Sequence, residues 1–405
     1  MTFDPAAIRA EFPIFAVKNG TPLHYLDNGA TGQVPRAVID AVVAFESTSR
    51  ANVLRGVHRL AEAATEAYDQ SRRRVARYIN AAIDEVVFTS GTTAAINLVA
   101  HSFGSTLSAG DEVVVSELEH HSNLIPWQML RDRRGIVLKI LPVTDEGRLD
   151  TAALARVVTK KCKLVAVTHA SNVSGAVSNV GPLVAAARSV GAKVLLDGAQ
   201  RAPHGPLDVK ALDVDFYAFS GHKMFGPTGI GVLWARGELL AAMPPFLGGG
   251  EMIRTVTIEK ATWADVPHKF EAGTPPIAQA IGLGAACEWL MRLDWPAVTA
   301  HELRLTQRVL DGLGRIRGTK VVGPASLQGR VPVVSFAIDG AHPHDICQIL
   351  DGHGVALRGG HHCAQPFMER MGLAGTTRAS LALYNDEQDV EALLSGLDDA
   401  VSRLL

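Results

Sequence analysis

Short apolar runs alternate with amphipathic segments of helical period from about residue 85 onward. The apolar runs predict strands at Glu85–Thr89, Glu112–Ser116, Val137–Leu141, Leu164–Thr168, Lys193–Asp197, Val214–Phe219 and Ile230–Trp234. The helical segments between several of them are Thr93–Phe103, Asn123–Arg134, Thr151–Val158 and Leu183–Val190. This alternation is typical of βαβ units, so we expect a mostly parallel seven-stranded sheet flanked by helices on both faces.

The pattern changes near Gly248–Gly250, and an irregular stretch then runs as far as Pro276. A helix at Ile277–Arg292 is expected to lead out of the sheet. A second unit begins after the segment His301–Leu313. It has a predicted strand at Val333–Ile338 and predicted helices at His344–Gly352 and Glu387–Leu404. We therefore predict an α/β fold with a large domain over residues 20–275. Residues 1–19 and 276–405 would form a smaller α/β domain, on which the N-terminal segment packs.

Composition argues against a nucleic-acid-binding, membrane-spanning or secreted protein. The 405 residues are 47% hydrophobic and carry a formal net charge of −2, which favours neither nucleic acid nor an acidic membrane surface as a partner. No apolar run reaches the length of about 18 residues that a membrane span needs, and the segment Met1–Glu11 lacks the pattern of a secretory signal. Four cysteines lie scattered without paired spacing. We therefore expect a cytoplasmic protein without disulfides.

A lysine and an aspartate follow two successive predicted strands. The strand Lys193–Asp197 ends on its aspartate, and the next strand leads through Ser220-Gly221-His222 to Lys223. The carboxyl ends of parallel strands meet at one edge of a sheet, where ligands bind. A lysine amine can form a Schiff base with pyridoxal 5'-phosphate (PLP), and a carboxylate can keep its ring nitrogen protonated. The pair therefore predicts a PLP enzyme that acts on an amino acid. Taken separately, each residue also fits a solvated loop or a helix cap.

Other polar residues converge on the same edge. Ser90-Gly91-Thr92-Thr93 opens a helix, so its backbone N–H groups and hydroxyls could hold a phosphate, although a routine capping turn has the same pattern. Ser220, His222 and Thr274 could add donors. His120 ends a strand and could stack on a flat ring or move a proton, whereas a histidine at such a place can also serve packing alone.

The segment His361-His362-Cys363 follows the predicted strand Val355–Arg358. Its cysteine fits an inert thiol, a zinc ligand or a reactive thiol, and the direct succession of the three residues is poorly suited to zinc. Arg358 and Arg378 flank this loop, and a guanidinium can bind a carboxylate through two hydrogen bonds. We favour Arg378 for that role because the residues after it are largely apolar; the alternative is a surface charge.

These motifs together resemble the group II cysteine desulfurases, the SufS-like branch of the fold-type I, class V PLP enzymes. The resemblance runs from Tyr25 to Asn385 in family order. It rests on Gly91-Thr92-Thr93, Glu119-His120-His121, Ser171-Asn172, Asp197-Gly198-Ala199-Gln200, Ser220-Gly221-His222-Lys223, Gly273-Thr274-Pro275, Arg358, Gly360-His361-His362-Cys363-Ala364 and Arg378-Ala379-Ser380.

The resemblance implies a role for each matching residue. Lys223 would bind PLP and act as acid and base, and Cys363 would attack the substrate sulfur. The groups that would hold the cofactor are Asp197 at the ring nitrogen, Gln200 at the ring hydroxyl, His120 on the ring face, Thr92, Thr93, Ser220 and His222 at the phosphate, and Thr274 from a partner subunit. The groups that would hold the substrate carboxylate are Asn172, Arg378 and Arg358.

The resemblance also implies a function. A homodimer would convert L-cysteine to L-alanine and keep the sulfur as a persulfide on Cys363. A SufE-like or SufU-like acceptor protein and an iron–sulfur scaffold would receive it. The alternatives are a selenocysteine lyase, a class V aminotransferase in which Cys363 is incidental, and a PLP-binding interaction subunit without activity. No resident metal is expected.

Overall fold

The structure is a computed structural model that describes residues 3–18 and 20–405. Its strands are, in chain order, β1 (His24–Tyr25), β2 (Val86–Thr89), β3 (Glu112–Ser116), β4 (Val137–Leu141), β5 (Cys162–Thr168), β6 (Lys193–Asp197), β7 (Phe216–Ser220), β8 (Gly231–Ala235), β9 (Ile253–Val256), β10 (Ala261–Trp263), β11 (Thr319–Val322), β12 (Val333–Ile338), β13 (Val355–Ala356), β14 (Arg358–Gly360) and β15 (Thr376–Ser380).

Its α-helices are α1 (Pro5–Ala10), α2 (Arg36–Thr48), α3 (Arg59–Tyr78), α4 (Thr92–Ser102), α5 (Ile125–Arg134), α6 (Leu154–Val157), α7 (Val180–Ser189), α8 (Gly237–Ala242), α9 (Ile277–Leu290), α10 (Trp295–Leu313), α11 (Pro343–Gly352), α12 (Gln365–Arg370) and α13 (Glu387–Leu404).

The large sheet has seven strands in the order β2-β8-β7-β6-β5-β3-β4. Strand β8 runs antiparallel to both neighbours, and the other pairs are parallel. Strands β3 and β7 are buried along their whole length, as expected where helices cover both faces of a sheet. The predicted mostly parallel seven-stranded architecture is confirmed. The carboxyl ends of β3, β5, β6 and β7 therefore share one edge.

A second sheet has the order β11-β12-β15-β14 and is antiparallel throughout. Its apolar side chains form a separate core with those of α10, α11 and α13. Strand β15 is fully buried although its sequence is Thr-Thr-Arg-Ala-Ser. Without an apolar run, sequence periodicity did not predict this strand, which carries Arg378.

The N-terminal segment contacts this second unit; its assignment to the small domain stays a prediction. The guanidinium of Arg9 in α1 donates to Asp389 Oδ2 at 3.0 Å and to the Tyr384 carbonyl. The ring of Phe12 lies edge-on to that of Tyr384, with centroids 4.6 Å apart. These contacts join the two ends of the chain. The predicted small domain also includes Met1, Thr2 and Asn19, which lie outside the described residues.

Several elements differ from the sequence prediction. Helices α2 and α3 lie before residue 85, where the sequence pattern predicted no element. The buried face of α3 includes Ala61, Ala64, Ser71 and Arg72, which form no apolar run. The stretch predicted to be irregular contains the β9–β10 hairpin. Helix α9 packs against α2 and α3, directly after the proposed boundary at residue 276. The division into domains at residue 276 stays a prediction.

The turn that leads into α9 is held by a buried ion pair. Arg72 Nη1 lies 2.7 Å from Glu271 Oε1, and both side chains are almost fully buried. Glu271 also accepts hydrogen bonds from the Tyr68 hydroxyl and the Phe88 backbone N–H. The pair thus fastens the segment before Thr274 to α3 and β2. Among the described residues, no helix is both long and apolar enough to cross a membrane.

Candidate active site

A cavity of about 200 Å³ lies at the shared carboxyl edge of the large sheet, and the second sheet closes one side of it. Every predicted site residue except Thr274 lines this cavity. The cavity also has lining residues that the sequence motifs did not single out for a role: Gly29, Ala30, Ser122, Thr168, Ala170, Ala199 and His362. Most of these lie within two residues of a predicted one, and that proximity is the signal that could have found them.

Lys223 and Asp197 lie at the ends of neighbouring parallel strands, β7 and β6. Asp197 is 4% exposed, and its Oδ1 accepts a hydrogen bond from the Ala199 N–H at 3.0 Å. Burial raises the pKa of Asp197, with the backbone hydrogen bond and Lys223 opposing the shift. Burial lowers the pKa of Lys223 to about 8, although Asp197 opposes this. The amine is therefore partly neutral, and hence nucleophilic, near neutral pH.

The N-terminus of α4, called the anion site below, presents groups that could bind an anion. Its N-cap is Gly91, whose φ of 149° suits glycine and whose position carries no side-chain cap. Ser220 Oγ accepts a hydrogen bond from the Thr92 N–H at 2.9 Å and lies 2.7 Å from Thr92 Oγ1. Thr93 Oγ1 lies 2.7 Å from Ser122 Oγ. Hydroxyls and the positive end of the helix dipole thus converge where a phosphate would bind.

The imidazole of His120 is a neutral ring in this cavity. Its Nδ1 accepts a hydrogen bond from the Ser122 N–H at 3.1 Å, so in the neutral ring Nε2 carries the proton. Burial, with Lys223 as a second cause, lowers the pKa of His120 to about 4. Burial likewise lowers the pKa of His222 to about 4. Neutral rings can stack on a cofactor without adding charge to the site.

Glu119 holds the segment that carries His120, a role that the sequence did not indicate. Its buried carboxyl group accepts hydrogen bonds from Ser116 Oγ, from Asn123 Nδ2 at 2.6 Å and from the Thr168 N–H at 3.0 Å. Burial raises the pKa of Glu119 to about 8. The side chain ties the ends of β3 and β5 together directly beside the ring.

The two predicted carboxylate-binding arginines differ in exposure. The side chain of Arg378 is 2% exposed, and that of Arg358 is 49% exposed. Arg378 donates from Nη1 to the Asn172 carbonyl at 3.1 Å and from Nη2 to Asp27 Oδ1 at 2.9 Å. Its buried Nε has no partner among the described residues. Burial lowers the pKa of Arg378, and Asp27 opposes the shift.

Two residues that were predicted to bind substrate or cofactor donate hydrogen bonds from their side-chain amides to backbone carbonyls of the protein. Asn172 Nδ2 donates to the His362 carbonyl at 2.7 Å, and Gln200 Nε2 donates to the Gly29 carbonyl at 2.7 Å. Asn172 therefore anchors the loop that carries Cys363. The predicted contacts of Asn172 with the substrate carboxylate and of Gln200 with the cofactor hydroxyl stay predictions.

Cys363 is the exposed thiol of the chain and lies in the cavity. His362 and Cys363 both have positive φ, at 52° and 56°, and the Cys363 carbonyl accepts a hydrogen bond from the His121 N–H at 2.8 Å. This backbone places Cys363 in the wall of the same cavity as Lys223 and Arg378. His362 is not a cation that could favour a thiolate, because burial lowers its pKa to about 3 and its Nε2 faces Thr376.

The other cysteines have a different environment. Burial raises the pKa of Cys162 to about 11 and that of Cys347 to about 12, and it raises the pKa of Cys287 further. These thiols stay protonated at neutral pH and are unreactive for that reason. Within residues 3–18 and 20–405 there is no cluster of three or more histidine, cysteine or acidic side chains arranged to hold a metal.

Thr274 lies outside the cavity that holds the other predicted residues. It lines a neighbouring cavity of about 500 Å³ with Ser90, Phe246 and Gln279. Both cavities border the first turn of α4, since Thr92 lines one and Ala94 the other. Within a single chain, Thr274 therefore adds no donor to the anion site.

The chain matches the family described as aminotransferase class-V over residues 24–393. The chain belongs to the class-V aminotransferase family. Within this family it is 50% identical over 402 residues to the probable cysteine desulfurase 2 of Mycobacterium leprae, covering 97% of this chain and 96% of the relative. The predicted resemblance to the cysteine desulfurases is thus confirmed by sequence similarity over nearly the whole chain.

Solved structures of class-V relatives agree with this assignment. The crystal structure of the cysteine desulfurase CsdA of Escherichia coli, in an S-sulfonic acid form, is 40% identical with a TM-score of 0.93 and full coverage of both chains. A C-DES mutant with glycine covalently linked to its PLP cofactor is 25% identical with a TM-score of 0.83, covering 96% of this chain and 99% of the other. The fold-type I architecture predicted from the sequence is confirmed.

PLP is the cofactor of this class-V family member, and the cavity fits it. The first turn of α4 supplies donors for a phosphate, Asp197 supplies a buried carboxylate for a ring nitrogen, and Lys223 supplies an amine of lowered pKa. These three groups lie at the same edge of one sheet. These groups match the phosphate, the ring nitrogen and the aldehyde of the cofactor.

The lowered pKa of Lys223 generates a prediction about cofactor uptake by the apoprotein. Only the neutral amine reacts with an aldehyde, so the rate of covalent PLP incorporation should fall about tenfold per pH unit below pH 8 and level off above it. The initial rate of absorbance change on mixing apoprotein with PLP, from pH 6 to 10, measures this. Lys223→Ala is the control and should show no covalent uptake. A rate that still rises towards pH 10 would indicate an ordinary lysine.

Proposed function

We propose that the protein is a PLP-dependent cysteine desulfurase that converts L-cysteine to L-alanine and keeps the sulfur as a persulfide on Cys363. The observation that carries this proposal is the place of the Cys363 thiol, in one cavity with Lys223 and Asp197. Neither a lysine–aspartate pair alone nor a thiol alone would favour sulfur transfer. The desulfurase names of the relatives support the same reaction.

The substrate carboxylate would bind at Arg378, with Arg358 nearby. The guanidinium of Arg378 is held by Asn172 and Asp27, and it keeps a buried, unpartnered Nε. Because its geometry is fixed before binding, little conformational entropy is lost when a carboxylate arrives. The amino acid would thus be oriented with its side chain towards Cys363.

Lys223 and Asp197 would carry the proton chemistry. PLP, when bound, supplies an electron sink that acidifies the Cα–H of an attached amino acid. The Lys223 amine would take the Cα proton, which its lowered pKa makes possible near neutral pH. Asp197, buried at the end of β6, would hold a proton on the ring nitrogen.

Cys363 would capture the sulfur. Its thiolate attacks the substrate Sγ, so an S–S bond forms and the Cβ–Sγ bond breaks. The electron pair of the broken bond stays with the substrate Cβ, which takes up a proton. Lys223 returns a proton to Cα, and alanine is released. The enzyme then carries a persulfide, and a thiol of an acceptor can take its outer sulfur. Covalent capture avoids the expulsion of free sulfide.

The partner of this reaction would be a protein with an acceptor thiol, SufE-like or SufU-like, that serves an iron–sulfur scaffold. Cys363 also lines an outer groove of about 730 Å³ that includes His342, His344 and Gly375. A thiol that lines both an inner cavity and an outer groove can receive sulfur on one side and release it on the other. All four cysteines are unpaired, which supports the proposal that the enzyme works in the cytoplasm.

The role of Cys363 is tested by Cys363→Ser. This variant should take up PLP and bind L-cysteine, because neither step needs the thiol, but it should form essentially no alanine, since an alcohol is a poor nucleophile towards sulfur. Alanine and sulfide are measured together in the presence of a thiol reductant, and persulfide labelling should mark Cys363 of the unmodified enzyme. Cys347→Ser is the matched control and should retain activity.

Different outcomes would favour the other candidates. Alanine formation by Cys363→Ser at the rate of the unmodified enzyme would make the thiol incidental. Activity of the unmodified enzyme on L-selenocysteine, without activity on L-cysteine, would be the property of a selenocysteine lyase. Transfer of the amino group to a keto acid as the main reaction would identify an aminotransferase.

The carboxylate site is tested at Arg378. Loss of a buried guanidinium that pairs with the substrate should cost about 2–5 kcal/mol, which corresponds to a fall of about 30-fold to several thousand-fold in kcat/KM for L-cysteine with Arg378→Ala. Arg378→Lys should remain impaired because an ammonium group cannot form the paired hydrogen bonds of a guanidinium. Steady-state kinetics measure both. Near-normal turnover by Arg378→Ala would move the site to Arg358.

We further propose a homodimer in which Thr274 of each subunit binds the phosphate in the cavity of the other. The separate position of Thr274 within one chain supports this, since a second chain is needed to bring it to the anion site. The holoenzyme should have the mass of a dimer by light scattering, and Thr274→Ala should lose PLP faster on dialysis than Thr48→Ala, a change on the exposed end of α2. An active monomer would refute this arrangement.

A further inference from the structure

Thr31 and Gly32 lie against the turn that carries His222 and Lys223. The Gly32 N–H donates to the His222 carbonyl at 2.9 Å, and a methyl group on Gly32 would lie 3.3 Å from the Lys223 carbonyl oxygen. The Tyr25 hydroxyl donates to the Thr31 carbonyl at 3.0 Å. Thr31 is thus held beside His222, which is 191 residues away in the chain, although no sequence motif gave it a role.

The Thr31 hydroxyl lies between two possible acceptors on the same residue. Its Oγ1 is 3.1 Å from the His222 carbonyl oxygen and 3.3 Å from Nδ1 of the His222 ring. A hydroxyl has one hydrogen to donate, so it serves only one of them at a time. The carbonyl already accepts the Gly32 N–H. Donation from Thr31 to the ring therefore leaves neither acceptor without a partner.

The direction of this hydrogen bond decides which ring nitrogen of His222 carries the proton. Burial, with Lys223 as a second cause, lowers the pKa of His222 to about 4, so near neutral pH the ring has a single N–H. If Nδ1 accepts from Thr31, that proton lies on Nε2; if Nδ1 donates, Nε2 has only a lone pair. His222 lines the cavity together with Ser220 and Thr92, and Nε2 is the nitrogen left for a ligand there.

We propose that Thr31 is a positioning residue for the cofactor phosphate: its hydroxyl donates to Nδ1 of His222, so that Nε2 keeps its proton and donates to the phosphate. The opposite arrangement would present a lone pair to an anion. The inference rests on the predicted contact of His222 with the phosphate. It concerns cofactor binding alone and is independent of the proposed transfer of sulfur to Cys363.

The test compares PLP with pyridoxal, which lacks the phosphate group, in absorbance titrations of the full-length chain. Thr31→Val replaces the hydroxyl by a methyl group of similar size, so the ring loses the donor that holds it with Nε2 towards the phosphate. The ratio of the pyridoxal to the PLP dissociation constant should therefore fall about three- to tenfold, the range for one hydrogen bond. A ratio is used because any general loosening of the site affects both ligands.

Three further variants show whether the hydroxyl acts through the ring. Thr31→Ser keeps a hydroxyl and should keep the ratio of the unmodified enzyme. Thr106→Val removes an exposed hydroxyl that donates to the Phe103 carbonyl, and it should also keep the ratio. His222→Ala removes the phosphate donor and should lower the ratio at least about tenfold. Adding Thr31→Val to His222→Ala should then produce no further fall.

The remaining outcomes overturn the inference. A higher ratio in Thr31→Val would mean that the hydroxyl accepts from Nδ1, and an unchanged ratio would mean that it has no effect on the phosphate. A further fall in the His222→Ala background would mean that Thr31 acts without the ring. An unchanged ratio in His222→Ala would remove His222 from the phosphate site, while Cys363→Ser would still test sulfur transfer separately.

Thr31→Ala takes the place of Thr31→Val if the latter yields no folded holoenzyme. It removes the same hydroxyl with less bulk, and it should lower the ratio by the same factor. An unchanged or higher ratio in this variant likewise overturns the inference.

Discussion

Two cationic side chains buried at the active site, those of Lys223 and Arg378, each lie beside a carboxylate. Lys223 lies beside Asp197 at the ends of β7 and β6, and Arg378 lies beside Asp27. A charge that is removed from water without such a partner costs several kcal/mol. The cavity can therefore hold the Lys223 amine and the Arg378 guanidinium in place, while the fold remains stable in the absence of ligands.

This balance depends on how the two sheets meet. The segment after β5 has polar contacts with the second sheet and with the residues just before β12. Arg378 donates to the Asn172 carbonyl, Ser335 Oγ donates to the Val173 carbonyl at 2.7 Å, and the Val331 N–H donates to the Gly175 carbonyl at 2.8 Å. Asn172 in turn holds the backbone beside Cys363. One segment thus positions both Arg378 and the loop of Cys363 relative to the carboxyl edge of the large sheet.

The same arrangement leaves the Cys363 thiol at the boundary of two cavities. Its loop is fixed by a hydrogen bond from His121, which follows β3 of the large sheet, and by the contact of His362 with Thr376 on the second sheet. Between these two anchors the thiol remains exposed and borders both the inner cavity and the outer groove. Positioning at the backbone level leaves the sulfur atom itself free to react.

The sequence alone determined the parallel sheet, the place of Lys223 and Asp197 at its carboxyl edge, and the family, because each depends on local periodicity or on motifs of a few residues. Only the tertiary structure placed Asp27 between Arg358 and Arg378, made Glu119 the anchor of the His120 segment, and put Thr274 in a different cavity from the other donors. The buried polar strand β15 likewise has no apolar pattern to reveal it. The physical reason is common to all: these contacts join residues far apart in the chain, and strand register and sheet packing, which no local pattern encodes, decide which of them meet.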